Sequence, residues 1–175
     1  MEMRGMMGGF YRISEWIMRL AVTNVLWLLC GLPFWFLAFL MLLSTEVDQL
    51  RSIIILMAVV SPFTFFPATS AMFSVARKWV TGDVDVPLFK TYFRNYKANF
   101  KQAMLGGILY AVLFAVLIID YQVYMANISG MQIVAYLFIA LLILAIISLL
   151  HFFSLLSHFH MKTFQLLKNA LILTI

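Results

Sequence analysis

The residues of this chain best suited to chemistry lie on its last long apolar run. Ser148, His151, Ser154 and His158 recur there at helical spacing and share one face, with His160 just beyond. A zinc site wants ligands one turn apart, whereas His151 and His158 are two turns apart, about 10 Å along a helix axis. No carboxylate or thiolate accompanies them. Neither a paired-carboxylate site nor a nucleophile with a plausible base is visible elsewhere, so the pattern predicts no catalytic residue, no metal and no cofactor. Two readings of this hydroxyl and imidazole face stay open: a polar seam packed against another helix, and a path for a proton or solute.

A second unusual stretch is Ser61-Pro62-Phe63-Thr64-Phe65-Phe66-Pro67-Ala68-Thr69-Ser70. Each proline removes a backbone donor and disturbs the carbonyl one turn earlier, so a helix here is kinked or locally unwound. The hydroxyls of Ser61 and Thr64 can satisfy the freed groups. Such a break is either a kinked packing helix or a substrate-contact element like the discontinuous helices of transporters. Thr64, Ala68, Ala71 and Val75 also offer a small-residue face for close helix approach.

The elements that carry these residues are membrane spans. Hydrophobic residues make up 65% of the chain and charged residues 11%, with a mean hydropathy of +1.01, far from soluble averages. Leu20 to Leu43 and Ile53 to Ala76 are each 24 residues without Asp, Glu, Lys or Arg. At 1.5 Å per residue each makes about 36 Å of helix, enough to cross a hydrocarbon core of about 30 Å with some tilt. Two further runs give spans of about 102–120 and 131–153. The fold class predicted is all-α: a polytopic helical membrane bundle of four full spans (20–43, 53–76, 102–120, 131–153) in a single domain. The apolar tail from Ala170 reads as the start of a probable fifth span. The first run is about twice the length of a signal-peptide core and lacks a small-residue exit, so it reads as a retained anchor. Cys30, the single cysteine, falls within it and excludes an intramolecular disulfide framework.

Charge orients the bundle. Basic residues number 3 before the first span, 6 between residues 77 and 101 and 2 after His158, against 1 and 0 in the other two connections. The positive-inside rule then predicts a cytoplasmic N-terminus, 77–101 loop and final segment. A pI near 9.5 reads as topology and not as nucleic-acid binding.

Within the cytoplasmic loop, Arg77 and Lys78 suit the end of the second span and Gly82 stops it. Asp85 as N-cap with Pro87 in the first turn begins a helix over about 85–101. Leu88, Phe89, Tyr92, Phe93, Tyr96 and Phe100 gather on one side of it, and Lys90, Arg94, Lys97 and Lys101 on another. Paired aromatic and basic stripes predict an amphipathic helix anchored on an anionic leaflet or docked on a cytoplasmic partner. Upstream, Phe10, Ile13, Ile17 and Leu20 describe a short interfacial helix starting at Gly8-Gly9, with Glu15 and Arg19 an i,i+4 pair. In the third span, Gly107, Ala111 and Ala115 form a small-residue ladder for packing. Asp120 ends that span, and Asn127-Ile128-Ser129 fits a glycosylation sequon.

Three stretches together, Met3-Arg4-Gly5-Met6-Met7-Gly8-Gly9-Phe10-Tyr11-Arg12, Phe66-Pro67-Ala68-Thr69-Ser70-Ala71-Met72 before Arg77-Lys78-Trp79, and Phe89-Lys90-Thr91-Tyr92, resemble the YesL-like family of small bacterial integral membrane proteins. The resemblance covers essentially the whole chain. It implies a bacterial cytoplasmic membrane, a further C-terminal span, and association with carbohydrate uptake or sensing systems; it implies no established activity. The function expected is therefore a non-enzymatic accessory or regulatory subunit, whose partners are the lipid bilayer and carbohydrate transporter or sensor subunits. The alternative is a transporter or permease component whose path is lined by Ser61, Pro62, Thr64 and Pro67 on one span and Ser148, His151, Ser154 and His158 on another.

Overall fold

An apolar chain deprived of water must satisfy its backbone internally, and the helix does this within one segment. The computed structural model describes residues 6–126, 132–159 and 161–175. Among them are seven α-helices and no strand: α1 Met6–Cys30, α2 Leu32–Leu43, α3 Val47–Val60, α4 Phe65–Val80, α5 Leu88–Ala126, α6 Gln132–His158 and α7 Thr163–Thr174, with a 3₁₀ turn at Ser61–Phe63 between α3 and α4. Gly9–Cys30, Leu88–Ala126 and Gln132–His158 are each long and apolar enough to cross a membrane. The pair Val47–Phe63 and Phe65–Val80 meets the same test jointly, bent by 47°, and makes a fourth span when counted as one. By length and composition of its helices, this is a membrane protein.

Helix boundaries differ from the hydropathy runs in ways that single residues explain. The first run, expected as one span over 20–43, is divided at Gly31: α1 ends at Cys30, and α2 starts with Pro33 in its first turn. Pro33 cannot donate to the carbonyl one turn earlier, so the α-helical ladder stops there. Conversely, Gly8-Gly9 does not start a helix, since α1 already runs from Met6 and passes through both glycines into the apolar segment. The tail expected from Ala170 belongs to a helix that begins at Thr163 and packs on α6, with Leu166 and Ala170 fully buried.

The largest difference concerns residues 85–101. They do not form a separate surface helix: α5 begins at Leu88 and continues without interruption for 39 residues. No proline or turn signal separates Phe100 from Gln102, so nothing in the backbone ends the helix where the charge pattern changes. Asp85 is not its N-cap but an ion-pair partner of Arg19, at 2.7 Å. The aromatic stripe is split as well. Thr91 and Tyr92 are buried in the protein, while Phe89 and Phe93 are exposed. Gly82 does end α4, adopting φ +90° while the Asp83 N–H returns to the Lys78 carbonyl at 2.9 Å.

Two clusters hold the bundle. One joins Phe66 of α4, Ala103 and Tyr110 of α5, Phe152, Phe153 and Leu156 of α6, and Leu166 and Ala170 of α7. The other joins Leu26 of α1, Ala71 and Val75 of α4 and Tyr92 of α5. The expected small-residue face of α4 is thus a real contact surface, with Ala68, Ala71 and Val75 fully buried.

Candidate functional site

The site begins with the backbone fault in the second span. Pro62 has no N–H for the Ala58 carbonyl, and the Ser61 hydroxyl donates to that same carbonyl at 3.2 Å. The Thr64 N–H turns back to Ser61 at 3.3 Å in 3₁₀ fashion, which strips Val60 of its usual donor. The Thr64 hydroxyl donates to Val60 at 3.0 Å in its place. Both side chains therefore repair the break that the proline makes, and Ser61 and Pro62 are buried. Pro67, also buried, sits in the first turn of α4, where a missing donor costs little.

Small residues let neighbouring helices close on this fault. A Cβ built on Gly107 would lie 2.9 Å from Pro62 Cα and 2.8 Å from Phe66 Cγ, so only glycine fits there. The rest of the ladder does something else. Ala111 and Ala115 line a cavity of about 600 Å³ bounded by α2, α3, the 3₁₀ turn, α4, α5 and α6. Its walls are apolar except for Ser61 at one end and Arg51 and Gln122 at the other.

Two of the four side chains on the polar face of the last long helix, Ser148 and His158, are held by internal bonds. Ser148 is buried and shares a 2.7 Å hydrogen bond with the Tyr110 hydroxyl of α5. The Ser154 carbonyl accepts from the Ser157 hydroxyl at 2.7 Å and from His158 Nδ1 at 3.0 Å. His151 is half-buried and His158 exposed. Tyr110, Phe66 and Phe153 stand in the packed core, with the Phe66 and Phe153 rings 5.4 Å apart. Among the described residues, no group of three His, Cys, Asp or Glu side chains is placed to hold a metal. His160 and the Asn127-Ile128-Ser129 sequon lie outside the described residues.

Long-range polar ties supply what sequence spacing did not disclose. Arg19, buried on α1, donates to the Val84 carbonyl and to Glu15 as well as to Asp85, fastening α1 to the α4–α5 connection. Arg77 donates to the Ser157 carbonyl at 2.5 Å, a cation at the end of α6 where the helix dipole favours it. Trp27 donates to Thr69 at 3.0 Å, Tyr92 to the Ala68 carbonyl at 3.0 Å, and Gln102 to the Met161 carbonyl at 2.7 Å. The partners are dozens of residues apart, so no local pattern announces them; only Glu15 with Arg19 was visible as a pair. Lys90, Arg94, Lys97 and Lys101 are all exposed on the first turns of α5.

Residues 20–121 match the family model described as a protein of unknown function, DUF624. The chain belongs to the DUF624 family. That DUF624 segment carries the Arg19-facing connection, the Pro62 break and Gly107, and ends next to Gln122 at the mouth of the cavity. Over all of its 175 residues the chain is 31% identical to the uncharacterized protein YteU of Bacillus subtilis (strain 168), covering 68% of that protein. It is 35% identical over 86 residues to the uncharacterized protein YesL of the same organism, a match covering 49% of this chain and 29% of YesL. No solved structure matches it.

The Tyr110 and Ser148 pair gives a first test of this DUF624 core. A double-mutant cycle with Tyr110→Phe and Ser148→Ala, read by unfolding in mixed micelles, is expected to return a coupling of about 0.6 kcal/mol, the usual worth of an interhelical hydrogen bond in a membrane protein. Strictly additive effects would mean that the two hydroxyls do not meet.

Proposed function

We propose that the chain is a non-enzymatic accessory subunit of the bacterial cytoplasmic membrane, which supports a carbohydrate transporter or sensor by helix packing and through the basic turns of α5. One observation carries the reading. Three of the four hydroxyls that could have lined a path, at Ser61, Thr64 and Ser148, are consumed by bonds inside the protein, whereas Lys90, Arg94, Lys97 and Lys101 all face outward. A conduit needs the reverse arrangement. The carbohydrate context comes from the family resemblance, and the orientation from the charge count, which puts the N-terminus, the α4–α5 connection and the segment after His158 in the cytoplasm.

Purification of the protein from its own membrane in mild detergent is expected to bring transport or sensor polypeptides with it. Replacing Lys90, Arg94, Lys97 and Lys101 together by Gln leaves insertion and helix content unchanged, because all four are exposed, but removes those companions. Recovery of the chain alone, with normal sugar uptake in a deletion strain, would contradict the proposal. The 47° break beside a cavity favours a second reading, a permease component in which α3 and α4 move against each other. Solute flux through the isolated protein separates the two.

A further inference from the structure

The cavity beside the broken span has the length and polarity of a lipid tail. It exists because of Pro62: Gly107 clamps α5 against the 3₁₀ turn, and the 47° bend then swings α3 away, so the two antiparallel helices diverge from an apex at Ser61. Arg51, Ile54, Ile55 and Ala58 of α3, with Ser61 of the 3₁₀ turn, form one wall, and Ala111, Ala115, Ile118, Ile119 and Gln122 form the facing side of α5. Arg51 to Ser61 is ten residues, about 15 Å along the helix axis. One leaflet of a hydrocarbon core about 30 Å thick is also about 15 Å deep. The apex therefore stands at the membrane midplane when Arg51 and Gln122 stand at the headgroups.

We propose that this groove holds one acyl chain of a membrane phospholipid, with the lipid phosphate against Arg51. A hydrocarbon chain, about 4 Å across at carbon contact distance, fits with room to spare. The groove is open along its side, since Ile55 and Ile119 are 66% and 57% exposed, so a tail enters laterally from the bilayer. Arg51 is 72% exposed at the mouth, and its carboxylate partner Asp48 stands at 3.6 Å, longer than a hydrogen bond. The guanidinium thus keeps its fork of donors for a phosphate, which it matches in geometry.

The test uses the full chain in nanodiscs that contain phosphatidylglycerol bearing a diazirine midway along one acyl chain. After illumination, adducts are expected to concentrate on Ile54, Ala58, Ala111 and Ala115. Arg51→Gln, a change at an exposed side chain, is expected to lower that labelling about fivefold. Diacylglycerol with the same photoreactive tail labels the groove as weakly as the Arg51→Gln protein, and Ala115→Phe, which fills the groove, abolishes the signal. Adducts spread evenly over lipid-facing residues such as Val25 and Ile143 would overturn the proposal. So would equal labelling by diacylglycerol, or a polypeptide in place of lipid on the groove residues.

Discussion

Gly106→Val is expected to cost the bundle about 2 kcal/mol, seen as earlier unfolding in a denaturant titration of the protein in mixed micelles. A Cβ at this position would lie 2.2 Å from Phe152 Cζ and 2.7 Å from Phe152 Cε1. Phe152 has nowhere to go: it is fully buried, with the rings of Tyr110 at 5.6 Å and Phe153 at 5.8 Å. Overpacking of this kind costs about 1–3 kcal/mol. Removing a helical glycine in favour of valine returns only about 0.4 kcal/mol of propensity, so the clash wins. Phe152→Leu in the same chain is expected to recover part of the loss by vacating the ring's outer edge. Gly9→Val, where nothing lies within 4 Å, serves as the control and changes stability little. Equal stability of the Gly106→Val and Gly9→Val proteins would show that α5 and α6 do not approach as described.

Impermeant maleimide added to intact cells is expected to modify a cysteine at Asp48 and to leave one at Asp83 untouched until lysis, in a Cys30→Ser background. Both sites are exposed: Asp48 lies at the start of α3, and Asp83 is in the α4–α5 connection, where its ion pair with Lys78 at 2.9 Å is solvent-facing and worth little. Eleven basic residues fall on the side assigned to the cytoplasm and one, Arg51, on the other. A bias of that size sets orientation strongly. The contrast is all-or-none, and labelling of position 83 in intact cells would reverse the topology.

How far the residues alone carry depends on whether the determinant is local. The break at Ser61–Thr64 was legible because a proline, the carbonyl it orphans and the hydroxyl that repairs it sit within one turn. The end of α4 at Gly82 was legible for the same reason. The division at Gly31 was also written locally, in Gly31-Leu32-Pro33, but lay inside a run whose hydropathy overrode it. Continuity of α5 was hidden by chemistry changing along an unbroken backbone, with a basic, aromatic first third and an apolar remainder. Burial of Tyr92 depends on α1 and α4, which no stripe on α5 reports. The partners of Tyr110, Arg77 and Gln102 could not be read because they lie 38, 80 and 59 residues away. The groove was unreadable in principle, because it is the space left when two helices diverge.

Solute flux into liposomes containing only this protein tests the central claim most directly, that its polar side chains are spent on packing and do not line a path. Uptake of each sugar offered is expected to match that of empty liposomes, for the unaltered protein and for the Ser148→Ala, His151→Ala and Pro67→Ala variants alike. Flux above the empty-liposome level that disappears in those three variants would contradict the account and make the chain a carrier in its own right.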